Sequence, residues 1–190
     1  MASSSSSAPF SIRQQQHHSS ISRLFRVIRV LCLSNSKPDI LMWEKIEKCS
    51  YSTIFVESER NPKKDPLLLW LTGGPGCSAL SGLVYEIGPF TFDAANFDGS
   101  LPSIILNPYS WTKVANIIFI DWPVGTGFSY SNTSKGYSSN DTKTAKDIYT
   151  FLRKWLLNHP MFIKNRLYIA GDSYGGKRCY HGGIGNIKRQ

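Results

Sequence analysis

Arg166-Leu167-Tyr168-Ile169-Ala170-Gly171-Asp172-Ser173-Tyr174-Gly175-Gly176 joins a short apolar run to a Gly-x-Ser-x-Gly pentapeptide. A serine hydroxyl is a weak nucleophile unless it is exposed, held in place and set beside a base. A sharp strand-to-helix turn exposes it, and glycines are needed on either side because strand and helix pass close together there. The apolar run therefore predicts a strand over Arg166 to Ala170, with Ser173 at the turn that follows.

Two further apolar runs lie upstream. Leu67-Leu68-Leu69-Trp70-Leu71 and Asn116-Ile117-Ile118-Phe119-Ile120 are short and continuous, as suits strands buried on both faces of a mostly parallel sheet. Ser52 to Glu57 reads as a short edge strand, followed by a polar turn with Pro62 and Pro66. Between the second and third buried runs, Ala145, Ile148, Phe151, Leu152, Trp155 and Leu156 recur at helical spacing. Asp141 is placed to cap that helix, and His159-Pro160 ends it. Strand, helix, strand is a crossover unit and predicts an α/β fold with helices flanking the sheet.

The other two buried strands also run into glycine-rich segments. Thr72-Gly73-Gly74-Pro75-Gly76-Cys77 follows the first, and consecutive glycines let backbone N–H groups face a reacting centre. Pro123-Val124-Gly125-Thr126-Gly127-Phe128-Ser129-Tyr130-Ser131 follows the second, with no lysine after its glycines to suggest a phosphate loop. It reads as a loop lining a substrate cleft.

Composition excludes several classes. The formal net charge is +9 over 190 residues, but residues 1–48 hold seven Lys/Arg against three Asp/Glu and residues 177–190 hold four against none. The stretch between them carries eleven bases and ten acids, so no basic face for nucleic acid is expected. The cysteines at 32, 49, 77 and 179 lack metal-ligand spacing, and no run is long and apolar enough to span a membrane. No metal or cofactor is called for. Residues 1–48 read as a basic, Ser-rich, disordered leader resembling a transit peptide, 49–176 as the folded domain, and 177–190 as a divergent basic tail.

Together the motifs resemble the serine carboxypeptidase family, and its plant members most closely. The chain carries GGPGCSA at Gly73 to Ala79, Glu86-Ile87-Gly88-Pro89, PVGTGFSYS at Pro123 to Ser131, and GDSYGG at Gly171 to Gly176, in the family's order and spacing. The resemblance covers about Tyr51 to Gly176. It implies an α/β-hydrolase fold, here truncated after the nucleophile elbow. It implies Ser173 as nucleophile, Gly74 and Tyr174 as oxyanion donors, and Thr72, Gly73, Glu86 and Asp172 as substrate-binding residues. It also implies that Cys77 has a disulfide partner further downstream.

In the peptidases of the family an Asn-Gly pair and two glutamates hold the substrate's terminal carboxylate; here Thr72, Gly73, Glu86 and Asp172 stand at those positions, with Thr72 in place of the asparagine and Asp172 in place of a glutamate. The Thr and Asp variant resembles the plant acyltransferase branch, which moves acyl groups from glucose esters to alcohols. A serine-type carboxypeptidase and a non-catalytic fragment are the alternatives. The expected partner is a small ester or peptide; the oligomeric state is left open.

A nucleophilic serine also needs a histidine base and an orienting acid, which follow it in chain order in this fold. Only seventeen residues follow Ser173, with one histidine, His181. On a continuing helix it would lie about 12 Å along the axis. Lys177 to Gly185 makes a poor buried helix, so the helix behind the elbow is expected to be absent, as in a truncated or alternatively spliced product. The resemblance implies a vacuolar, extracellular or other secretory location, at odds with the leader. Asn132 and Asn140 head glycosylation sequons usable on that route.

Overall fold

The computed structural model describes residues 41–96, 99 and 103–181, without the side chains of 41 and 178–181. The reading of residues 1–40 as a leader and the tail beyond His181 lie outside the described residues. Strands β1 (Leu41–Ile46), β2 (Cys49–Val56), β3 (Leu67–Leu71), β6 (Asn116–Ile120) and β8 (Leu167–Gly171) form one sheet in the order β1-β2-β6-β3-β8, and β7 (Tyr130–Ser131) pairs with β2. β3 is parallel to both β6 and β8, while β2 is antiparallel to its neighbours. β4 (Phe90–Phe92) and β5 (Ile104–Leu106) make a separate antiparallel pair.

All five residues of β3 and of β6 are buried, as their unbroken apolar character predicts. Helix α2 (Asp141–Asn158) covers one face, burying Thr144, Ile148, Phe151, Leu152 and Trp155. Ala145 and Leu156 sit partly buried at the rim of that stripe. Tyr51, buried in β2, donates its hydroxyl to Asp147 of α2 at 2.7 Å, and its burial pushes the phenol far above its ordinary range. A short helix, α1 (Ala79–Ser81), runs into a π-helical turn at Gly82–Glu86 near the sheet end.

Four expectations change. The segment around Ser52 to Glu57 is no edge strand: β2 lies between β1 and β6. Leu41–Ile46, within the span read as leader, is a strand that folds back on β2 through the turn at Glu47-Lys48, where Glu47 takes φ 53°. Met42, Glu44 and Ile46 face inward while Trp43 and Lys45 face water, the period-two signature of a strand half-covered on one side. Finally the helix behind Ser173 is present: α3 spans Ser173–His181. Gly182, Gly183 and Gly185 lie outside the described residues. Gly175 and Gly176 lie inside α3, where contacts with the sheet decide the residue rather than helix propensity. The cap of α2 also moves by one residue, to Asn140, whose side chain accepts from the Lys143 N–H at 2.8 Å.

The strand ends away from Ser173 are tied by polar groups. The Asn116 side-chain amide donates to the Pro62, Asp65 and Pro66 carbonyls and its oxygen accepts from the Ser58 N–H. Asp65 accepts from the Ser58 hydroxyl at 2.6 Å, the Asn61 N–H at 3.0 Å and the Arg60 guanidinium. Arg60 above all, then Ser58, holds the Asp65 carboxyl down at about 2. A depressed carboxyl stabilises the folded state above the unfolded value near 4, and that contribution fades as pH falls toward about 2. Urea midpoints of the protein and its Asp65→Asn variant should therefore differ at pH 6 and converge toward pH 2.

Candidate active site

The parallel strands β6, β3 and β8 end side by side, and each releases one of the three motif loops there, the usual place for a site in an open α/β sheet. β3 and β8 are in register through Leu71 and Gly171. One and two residues further on, Thr72-Gly73 and Asp172-Ser173 leave the sheet together.

Ser173 is exposed and has φ 46°, a left-handed conformation that favours glycine. What imposes it is the crowding of the turn. A Cβ on Gly171 would lie 2.2 Å from the Leu71 carbonyl oxygen, and one on Gly175 would lie 1.9 Å from the same atom. Strand β3 thus passes through the space that side chains would fill on both sides of the serine. The turn lifts Ser173 off the sheet end, and α3 starts at once, with the Gly176 N–H donating to the Asp172 carbonyl at 3.1 Å.

The first glycine loop abuts this turn. A Cβ on Gly73 would meet the Ser173 Cβ and the Asp172 carboxylate, each at 2.9 Å. Gly74 and Gly76 take φ 120° and 97°, open to glycine and strained for other residues. Tyr174 packs its ring against the core and donates its hydroxyl to Asp141 at 3.2 Å.

The acidic residues converge as well. The Gly73 N–H donates to Asp172 Oδ1 at 2.7 Å. Burial first, and the charge of Asp172 second, push the Glu86 carboxyl above its usual range; the Trp70 indole N–H pulls the other way. Trp70 Nε1 and Thr72 Oγ1 are buried and make no hydrogen bond of ordinary geometry among the described residues. Both lie against Gly82, where a Cβ would stand 2.6 Å from the indole nitrogen and 3.0 Å from the hydroxyl. Thr72, Gly73, Glu86, Asp172 and Ser173, named from three separate stretches of the chain, are thus drawn toward one sheet end. Trp70 escapes a reading of the sequence because it looks like one more apolar strand residue.

Asp121 escapes it too. It is 5% exposed, and its carboxylate accepts from the Ser78 hydroxyl, the Ala79 N–H and the Phe128 N–H at 2.7, 2.8 and 2.9 Å. The signal available for it is a lone acid directly after the apolar run of β6. Asn132 and Asn140 are exposed and lie beyond the loop of Pro123 to Ser131, away from these groups in sequence. His159, whose Nδ1 contacts the Trp155 carbonyl and whose ring stacks on Trp155, follows the C-terminal end of α2. The helix is about 27 Å long and starts beside Tyr174, so His159 is far from Ser173. The side chain of His181 is outside the described residues. Among the described residues no three His, Cys, Asp or Glu side chains gather as a metal site would require, and no helix is long and apolar enough to cross a membrane.

Comparison with known proteins bears on this arrangement. Serine carboxypeptidase-like 10 of Arabidopsis thaliana is 58% identical over 122 residues, which cover 64% of this chain and 28% of that relative. Serine carboxypeptidase-like 1 of the same plant is 57% identical over the same shares. The chain therefore spans little more than a quarter of the length of these relatives. Among solved structures, the prohormone-processing carboxypeptidase KEX1(delta)p from Saccharomyces cerevisiae matches with a TM-score of 0.57 and 27% identity, over 71% of this chain and 29% of that one. The described sheet is an α/β-hydrolase sheet of mostly parallel strands flanked by helices. The serine carboxypeptidase profile matches residues 47–179, the span that holds the elbow, the glycine loop and the acidic cluster, and the chain belongs to the serine carboxypeptidase family.

Proposed function

We propose that this chain carries the nucleophile of a serine acyl-transfer enzyme, and that the whole protein moves acyl groups from glucose esters to alcohols. Ser173 is the nucleophile, and the backbone N–H groups of Gly74 and Tyr174 stabilise the oxyanion. Ser173 Oγ bonds to the acyl carbon, the bond to the sugar oxygen breaks, and the serine proton passes to that leaving oxygen through a base. An acceptor alcohol then attacks the acyl-serine, gives up its proton by the same route and releases Ser173. The described side chains supply no histidine base, so the reading concerns a protein extended to the length of its relatives.

The observation that carries the substrate class is the 2.7 Å bond from the Gly73 N–H to Asp172. A terminal carboxylate on a peptide substrate would need that donor, and here a carboxylate of the protein already occupies it. The Thr72 hydroxyl, buried and without a hydrogen-bond partner among the described residues, is uncharged and suits a neutral sugar hydroxyl. Glu86, its carboxyl raised by burial and by Asp172, stays protonated further up the pH scale than an ordinary glutamic acid and so keeps a donor hydrogen.

The extended protein is to be assayed on a glucose ester with an alcohol acceptor and on a blocked dipeptide. Acyl transfer with little dipeptide cleavage is expected. The double variant Thr72→Asn and Asp172→Glu should shift the ratio of the two activities toward peptide cleavage by about tenfold, the worth of roughly one hydrogen bond. Peptide cleavage without acyl transfer in the unsubstituted protein would refute the proposal.

A further inference from the structure

We infer that Asp121 is the positioning residue that sets the oxyanion loop against Ser173, by clamping two loops with one buried carboxylate. The inference rests on the acyl-transfer reading above. It begins with how little the glycine loop holds itself. Between β3 and α1 its internal backbone hydrogen bond is that from the Cys77 N–H to the Gly73 carbonyl, at a long 3.4 Å. Gly73, Gly74 and Gly76 give the backbone wide freedom. An oxyanion hole works because its donors need no reorganisation as charge develops, so a loop of this kind requires support from outside.

Asp121 supplies it. β6 neighbours β3 in parallel, with Trp70 opposite Phe119. Continued two residues past that pair, the register brings Asp121 level with Thr72. One carboxylate oxygen, Oδ1, accepts from the Ser78 hydroxyl at 2.7 Å and the Ala79 N–H at 2.8 Å. Ser78 is the N-cap of α1, accepting in turn from the Leu80 N–H at 3.2 Å. The downstream end of the glycine loop is thereby pinned at the start of the helical turn that ends at Glu86. The other oxygen, Oδ2, accepts from the Phe128 N–H at 2.9 Å and so holds the loop of Pro123 to Ser129. That loop is shaped around the carboxylate. A Cβ on Gly127, at φ 52°, would fall 2.3 Å from Oδ2. The Asp121 backbone takes part as well, its carbonyl accepting from the Ser129 hydroxyl at 2.7 Å and its N–H donating to the Ser52 carbonyl at 2.9 Å.

Neither ion pair found among the described residues involves Asp121. A buried carboxylate without a counter-charge is unfavourable unless charge-assisted hydrogen bonds offset its lost hydration. Here three donors from two loops do so. The arrangement makes loop position and charge burial interdependent: moving either loop strips a donor from a buried charge. The glycine loop is thus fixed from the neighbouring strand.

Asp121→Asn tests this, because it keeps the size of the side chain while placing an N–H group where the Phe128 or Ala79 N–H must donate. Ser78→Ala removes a single donor and serves if the first variant fails to fold. Two readouts are combined: amide hydrogen exchange on the 190-residue chain, and, on the protein extended to the length of its relatives, labelling of Ser173 by a fluorophosphonate with Ser173→Ala as blank. Asp121→Asn should raise exchange at Ala79 and Phe128 at least tenfold, leaving the β3 and β6 amides protected. It should lower the maximal labelling rate about tenfold at an unchanged half-saturating concentration, and Ser78→Ala about threefold. A purely structural role would reduce the labelled fraction and leave the rate of the folded remainder intact, which would overturn the inference. So would unchanged exchange at Ala79 and Phe128. Absence of labelling in the unsubstituted extended protein would count against the acyl-transfer reading, and exchange across Gly73 to Cys77 would then decide the positioning claim alone: faster in Asp121→Asn sustains it, unchanged overturns it.

Discussion

Gly175→Ala should destabilise the domain by about 3 kcal/mol or more, the upper part of the range for overpacking, because nothing around it can yield. The added Cβ would stand 1.9 Å from the Leu71 carbonyl oxygen and 2.8 Å from its carbon. Leu71 is fully buried, ends a central strand and is paired with Gly171 on β8. Moving it would break β3 from β8, and moving α3 would carry Ser173 away from the glycine loop. A loss of this size is a large part of the roughly 5–15 kcal/mol that holds a domain together. Gly176→Ala is the control. Its nearest contact would be 3.0 Å, to the Gly171 carbonyl oxygen, and alanine's better helix propensity offsets part of that crowding, so a change under about 1 kcal/mol is expected. Urea unfolding followed by far-UV circular dichroism measures both. Equal effects for the two variants would show that the approach of β3 to the elbow is not the constraint described.

Replacement of Ser173 separates chemistry from strain. Ser173→Ala keeps φ near 46° with a side chain present and should leave stability nearly unchanged. Ser173→Gly removes the conflict between Cβ and backbone, worth on the order of 1–3 kcal/mol for a residue held in that region. Part of the gain is lost to the greater freedom of glycine in the unfolded chain, leaving a net stabilisation of about 1 kcal/mol and a melting temperature a few degrees higher. Both variants should abolish fluorophosphonate labelling of the extended protein and its acyl transfer. A stability of Ser173→Gly at or below that of Ser173→Ala would mean that the turn holds no strain.

The two experiments bear on one design. The glycines flanking the serine permit a close strand-to-helix contact, and that contact forces a non-glycine residue into a glycine-like conformation. The result is that Ser173 stands exposed at the end of the sheet. Stability lost at Ser173 is recovered in the packing of β3 and β6, all of whose residues are buried.

Much of this is legible in the amino-acid sequence. Unbroken apolar runs announce doubly covered strands because side chains on both faces must leave water, and the stripe from Ala145 to Leu156 announces the helix that covers one of them. The motif glycines mark the turns because only they tolerate those angles or that proximity. The order of the motifs is enough to expect an α/β-hydrolase sheet and to nominate Ser173, Thr72, Gly73, Glu86 and Asp172. Local pattern fails where a residue's partner is remote in sequence. β1 reads as leader because six residues of weak alternation mean little until β2 is there to pair with them. The helix after Ser173 has poor propensity and is expected to be missing, yet its glycines answer to Leu71 and Gly171. Which donor Asp172 occupies, and that Asp121 holds two loops at once, follow from the parallel register of β3 with β6 and β8. Sequence alone determined which groups stand in the motif loops; only the tertiary structure decided which of them already hold one another, since hydrogen bonds form at about 3 Å and not at a spacing along the chain.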